Sequence, residues 1–118
     1  MATAVNYLVW YDAKTKKETY KRYRKPVSII QARADAIAIL RSGKVGLPPR
    51  AFSMVTVAIC KDVPPGQDPV DGLLEQVIMS RALIRNRVHE CARTWNDVKK
   101  QWNWLYDNGT IRHNVEAW

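Results

Sequence analysis

Between Lys14 and Lys25 the chain carries seven basic residues, one acidic residue and two tyrosines, Tyr20 and Tyr23. Rings set among lysines and arginines suit a single-stranded nucleic acid, because the rings stack on bases while the cations follow phosphates. Lys16, Lys17, Lys21, Arg22, Arg24 and Lys25 would supply the charge, and Tyr20 and Tyr23 the stacking. The plainer reading is a solvated hairpin whose cations discourage edge pairing. Gly43-Lys44-Val45-Gly46 could bring backbone amides to an anion, but the lysine is not followed by Ser or Thr and the P-loop spacing is missing. It reads as a helix end and a loop, with Lys44 and Arg50 adding to a basic rim. Neither an RNA-recognition strand nor a helix-turn-helix is recognisable, so no base-specific readout is expected.

Other reactive residues form no signature. His89-Glu90-Cys91 would point about 100° apart on a helix, and no second cysteine pair follows as zinc deaminase chemistry requires. Cys60 and Cys91 are expected to be buried free thiols, with a disulfide possible but unneeded. His113 has no carboxylate or nucleophile at a recognisable spacing, and no serine has a flanking glycine elbow. The expectation is a non-enzymatic protein with no cofactor and no metal ligand set.

The elements that would position these residues begin with Val5–Tyr11, a β-branched and aromatic strand followed by a polar hairpin loop. Glu18–Arg24 alternates, with Tyr20, Arg22 and Arg24 on one face and Thr19, Lys21 and Tyr23 on the other; neither face is apolar, so it reads as an edge strand, stopped by Pro26. Ser28 and Gln31 form a capping box, so a helix should start there, with Ile30, Ala34, Ile37 and Ala38 inward, Arg33 and Arg41 outward, and Gly43 as its end. Ala51–Cys60 reads as a strand buried on both faces, and Lys61–Gln67, with Pro64-Pro65-Gly66, as a loop.

From Val70 the chain can be stepped by four and three through Leu74, Val77, Arg81, Ile84, Val88, Cys91, Trp95, Val98, Trp102 and Leu105. An apolar repeat near 3.5 residues is the seam of two helices packed lengthwise. Asp68 and Pro69 suit a helix start, and Asn108-Gly109 an end. One long helix or two, broken near Thr94, is therefore expected over 68–109. Leu74, Val77, Arg81, Ile84, Val88, Trp95 and Trp102 would form a homodimer or higher oligomer interface, Arg81 being matched by Glu75 or Asp71 of another copy. Trp104 lies off the seam and calls for a second surface.

The expected class is α+β: a small antiparallel sheet in β-β-α-β order covered by helices, with a long or broken C-terminal helix. Residues 1–118 should form a single domain, with a basic sheet-helix part at 1–67, a helical packing part at 68–109 and a tail at 110–118. The net charge of +8 lies wholly in residues 1–50, where 11 basic residues face three acidic ones. Such a half-chain attracts polyanions or acidic surfaces. With no signal segment or long apolar run, the chain is expected to be soluble and cytoplasmic, without a membrane partner. The resulting expectation is an anion-binding oligomer whose partner is nucleic acid, nucleotide or an acidic protein surface. The alternative is an inhibitor of the phage or mobile-element type that sequesters a nucleotide signal or blocks a host nucleic-acid enzyme.

Overall fold

The computed structural model describes residues 4–46 and 55–112, the side chains of 80–84 and 87–91 excepted. Within them, β1 (Ala4–Tyr11) and β2 (Glu18–Ser28) form a hairpin, and α1 (Ile29–Arg41) leads to β3 (Thr56–Cys60). A 3-10 turn at Pro69–Gly72 then opens a meander of β4 (Leu73–Ile84), β5 (Arg87–Asn96), β6 (Gln101–Leu105) and β7 (Ile111–Arg112). All seven strands join one antiparallel sheet in the order β2-β1-β3-β4-β5-β6-β7.

This overturns the helix-covered class and the long C-terminal helix. One α-helix is present among the described residues, and 73–105 is mainly strand. The 3.5-residue seam arose because β4 carries apolar residues of both parities: Leu73, Val77 and Met79 on one, Leu74 and Ile78 on the other. Steps of four and three sample both, so a central strand can imitate a helical stripe. Val70 and Val98 are exposed at turns, at 61% and 72% of full accessibility, where a packed seam would bury them. Arg85 and Asn86, with φ of 52° and 62°, make the two-residue turn joining Ile84 to Arg87. Two successive left-handed residues give the type I′ geometry that matches strand twist.

Pro26 does not end β2. The strand runs on to Ser28 by a register jump in which Tyr7 pairs with Arg22 and Val5 with Val27. An outer strand can carry a proline because one side of its ladder is unpaired. Ser28 caps α1, its Oγ accepting from the Gln31 amide at 3.1 Å.

The inward stripe of α1 is Ala32, Arg33, Ala36 and Ile37; Ile37 and Ala36 belong to the expected face and its widening, whereas Ile30 and Ala38 are exposed. That stripe meets Leu8, Trp10, Val57, Ile59 and Val77 to form the core on one side of the sheet. Arg33 was expected outside, yet it lies 6% exposed. Its Nε and Nη2 donate to the two oxygens of Glu75 at 3.0 and 2.6 Å, and Nη1 donates to the Gly109 carbonyl at 3.4 Å. Glu75 is therefore matched within its own chain and is not available to a partner's Arg81.

The β6–β7 turn is clamped to α1 at two further points. Arg41 pairs with Asp107 at 2.9 Å, and the Gly109 backbone lies directly on the Ile30 carbonyl. Gly109 has φ +89°, and a Cβ there would overlap that carbonyl oxygen. Gly109→Ala combines the strained φ with this clash, so it is expected to destabilise by more than about 1 kcal/mol. Comparing thermal melts of the two proteins would check it.

Two acids, Cys60 buried and Tyr23 half-buried, give an alkaline limit. Burial pushes the Cys60 thiol from 9.0 up to about 11. Burial, and then the hydrogen bond to Asp35, pushes the Tyr23 hydroxyl well above its usual 10.0. Raised folded-state pKa values mean that the folded chain holds these protons more tightly, so their contribution is complete below the unfolded values and lost as pH rises. Urea midpoints should hold to about pH 9, the ordinary thiol value, and fall towards 11. Tyr23→Phe should make the decline above pH 10 shallower.

Candidate nucleic-acid interface on the open sheet face

Residues paired across antiparallel strands project to the same side. Away from the register shifts at Val5/Tyr7 and Ile59/Cys60, the core therefore assigns the described strand residues to the helix side or to the opposite side. On the opposite side one cross-strand row reads Tyr20, Val9, Ala58, Gln76, Trp95, Trp102. The neighbouring row holds Glu18 and Tyr11 at one end, Thr56 and Ile78 in the middle, and Arg93, Trp104 and Arg112 at the other. Among the described residues no element packs on this side.

The face has aromatic walls and a low floor. Tyr7 and Tyr20 sit 6.0 Å apart between ring centroids, with the Arg22 guanidinium 4.9 Å from the Tyr7 ring. Trp95 and Trp102 sit 5.1 Å apart, tilted by 56°, with the Arg93 guanidinium 4.8 Å from the Trp102 ring. Between them lie Val9, Ala58, Thr56 and Gln76, whose side chains are shorter or slimmer than the rings. From β1 to β5 is three strand spacings, roughly 14 Å.

Two hollows mark this floor. One of about 260 Å³ is lined by Gln76, Ile78, Trp95 and Trp102. The other, of about 170 Å³, is lined by Val9, Trp10, Tyr11, Glu18, Thr56 and Ala58, and by Gly46 of the loop that follows α1. They adjoin, since Ala58 pairs with Gln76 and Thr56 with Ile78.

No family model, curated protein or solved structure matches the chain.

The anion-binding residues expected from the sequence are only partly brought together. Tyr20 and Arg22 reach the open face, whereas Lys21 and Tyr23 lie on the helix side, Lys21 within 4.0 Å of Asp35. Arg22 is not a lone cation: Asp62 accepts two hydrogen bonds from it, both at 3.0 Å. Arg24 and Lys25 are exposed in the irregular part of β2. Lys16 and Lys17 sit at the hairpin tip, and Lys44 comes beside them because its carbonyl accepts from the Ala13 amide at 2.8 Å. These three, with Lys14, make a basic end next to Tyr11. Arg50 lies outside the described residues.

The expected oligomer interface is divided too. Leu74 and Val77 are 7% and 0% exposed in the chain's own core. Arg81, Ile84 and Val88 belong to the β4–β5 hairpin, where their side chains, like those of His89 and Cys91, lie outside the described residues. Trp95 and Trp102 are on the open face. His113 and Trp118 also fall outside the described residues.

Sequence reasoning overlooked Tyr7, Tyr11, Arg93 and Arg112, and assigned Trp104 no definite surface. The period-two spacing of Arg93 with Trp95 and of Trp102 with Trp104 was the available signal. Among the described residues no group of three or more His, Cys, Asp or Glu gathers to hold a metal, and no helix is long and apolar enough to cross a membrane.

Proposed function

We propose that this protein binds single-stranded nucleic acid across the open face of its sheet. The observation that carries the reading is the pair of arginine-flanked aromatic groups, Tyr7 and Tyr20 on one side and Trp95 and Trp102 on the other, separated by a low floor. Every base has a π-face, so separated rings on an open surface can take successive unpaired bases. A duplex keeps its bases stacked on each other and offers such rings nothing. The net charge of +8 and the lysines at the hairpin tip supply the attraction for phosphates.

Quenching of tryptophan fluorescence by oligonucleotides tests this. Single strands should bind well above duplexes of the same length, and log affinity should fall linearly with log salt, by about 0.7 per phosphate contacted. Equal binding of both forms, or affinity indifferent to salt, would sink it.

A further inference from the structure

We infer that the hollow lined by Gln76, Ile78, Trp95 and Trp102 is an adenine site in which Gln76 reads the edge of the base. The inference rests on the single-strand reading above and adds a base preference to it. Gln76 lies on β4 directly opposite Trp95, and the hollow is lined by these two residues with Ile78 and Trp102. Ile78 floors it, the two indoles offer stacking surface, and the amide is the hydrogen-bonding group among the side chains that line it other than the indole N–H groups.

The orientation of that amide follows from its neighbour. Gln76 Nε2 donates to Asp97 Oδ2 at 3.3 Å. A carboxylate accepts and does not donate, so the nitrogen must face Asp97 and Oε1 must face away. One N–H and one carbonyl oxygen of the amide then remain for a ligand. Adenine matches this pair, N6 donating to Oε1 and N7 accepting from Nε2, the arrangement by which glutamine reads adenine elsewhere.

Asp97 narrows the choice further. Thymine and uracil can satisfy the amide only with a carbonyl oxygen placed against Nε2, beside the carboxylate oxygen of Asp97, whereas cytosine matches it through N4 and N3 but stacks a smaller ring on the indoles. Adenine has no carbonyl.

The test uses the intact chain and single-base oligodeoxynucleotides of equal length made of A, C or T. The A strand should bind about five- to 150-fold more tightly than the T strand, the range expected of one bidentate amide contact. Gln76→Ala should bring A down to about the level of T. Gln76→Glu, which keeps the length but puts an oxygen against N7, should do at least as much. Circular dichroism of both variants would confirm that folding is retained. Equal affinity for the three strands, or a Gln76→Ala variant that keeps its preference, overturns the adenine site and leaves single-strand binding standing. Failure of all three strands to bind removes both.

Discussion

Glu75→Ala is expected to lower folding stability by about 3–5 kcal/mol, because it leaves the Arg33 guanidinium buried without its counter-charge. Arg33 and Glu75 are 6% and 3% exposed, and two hydrogen bonds join them in the parallel fork that suits a guanidinium and a carboxylate. Glu75 stands on the helix side of β4 opposite Ile59, in a region otherwise filled by Leu74 and Val77. Its charge is tolerated there because α1 delivers Arg33 from above. After the substitution, the remaining acceptor for Arg33 is the Gly109 carbonyl at 3.4 Å, too long to compensate. A domain of this size has a total stability of about 5–15 kcal/mol, so the variant should sit near its unfolding limit.

Removing both charges should be far milder. Arg33→Met with Glu75→Leu keeps volume and avoids the desolvation of two ions, so its stability should lie close to that of the parent or above it. Urea denaturation of the two single variants and the double variant measures the coupling. A loss below about 1 kcal/mol for Glu75→Ala would mean that the pair is hydrated and that α1 is held by its apolar stripe alone.

Trp102→Ala should weaken single-strand binding by about five- to 150-fold, equivalent to the ~1–3 kcal/mol of one base-aromatic stack. Trp102 is the outer ring of its pair and also lies beneath the Arg93 guanidinium, so its removal takes away a stacking surface and the support for a cation. The side chain is only partly buried and lies outside the core, which limits the folding cost. Tyr20→Ala, at the other end of the same row, should give a smaller loss because Tyr7 remains beside it. Arg22→Ala is expected to do little, since Asp62 already matches that guanidinium. Fluorescence anisotropy of a labelled oligonucleotide measures all three. Unchanged affinity in Trp102→Ala would remove this face from consideration.

The two expectations are separable because the residues concerned lie on opposite sides of the sheet. Arg33, Glu75 and Gly109 hold the helix side together, while Trp95, Trp102 and Gln76 face away from it. A stability variant on the helix side should leave the affinity of the folded fraction intact. A ligand variant on the open side should leave the melt nearly unchanged.

Local signals in the chain were strong where a single residue type dictates the backbone. Ser28 with Gln31 marks the start of α1, and the β-branched run at Val5–Tyr11 marks β1. The basic, aromatic make-up of the β1–β2 hairpin was legible as well. The alternation along β2 also separated Tyr20 and Arg22 from Thr19, Lys21 and Tyr23, as the pairing has them; what it did not carry was the register jump past Arg22, which depends on how β1 pairs with β2.

Residues 68–109 were misread for a reason that lies in the fold. A strand in the middle of a sheet has neighbours on both edges and apolar contacts on both faces, so β4 loses the clean alternation that identifies an exposed strand. Its apolar positions then fit a helical count as well as a strand count. The better discriminator was composition: the β-branched and aromatic residues Val77, Ile78, Thr94, Trp95, Trp102 and Trp104 favour a pleated surface over a helix. Arg85-Asn86 offered weak help, because a type I′ turn is usually announced by Asn-Gly.

Residue types and local spacing by themselves determined that this protein has a basic front half, a capped helix after a hairpin, and a C-terminal half rich in rings. Tertiary structure alone decided that the helix covers one side of the sheet, that Arg33 goes inside to meet Glu75, and that tyrosines from one end of the chain share a surface with tryptophans from the other. Those outcomes depend on pairing between strands far apart in sequence. Shifting a strand's register by one residue would send every one of its side chains to the opposite side, and no short stretch of chain carries that information.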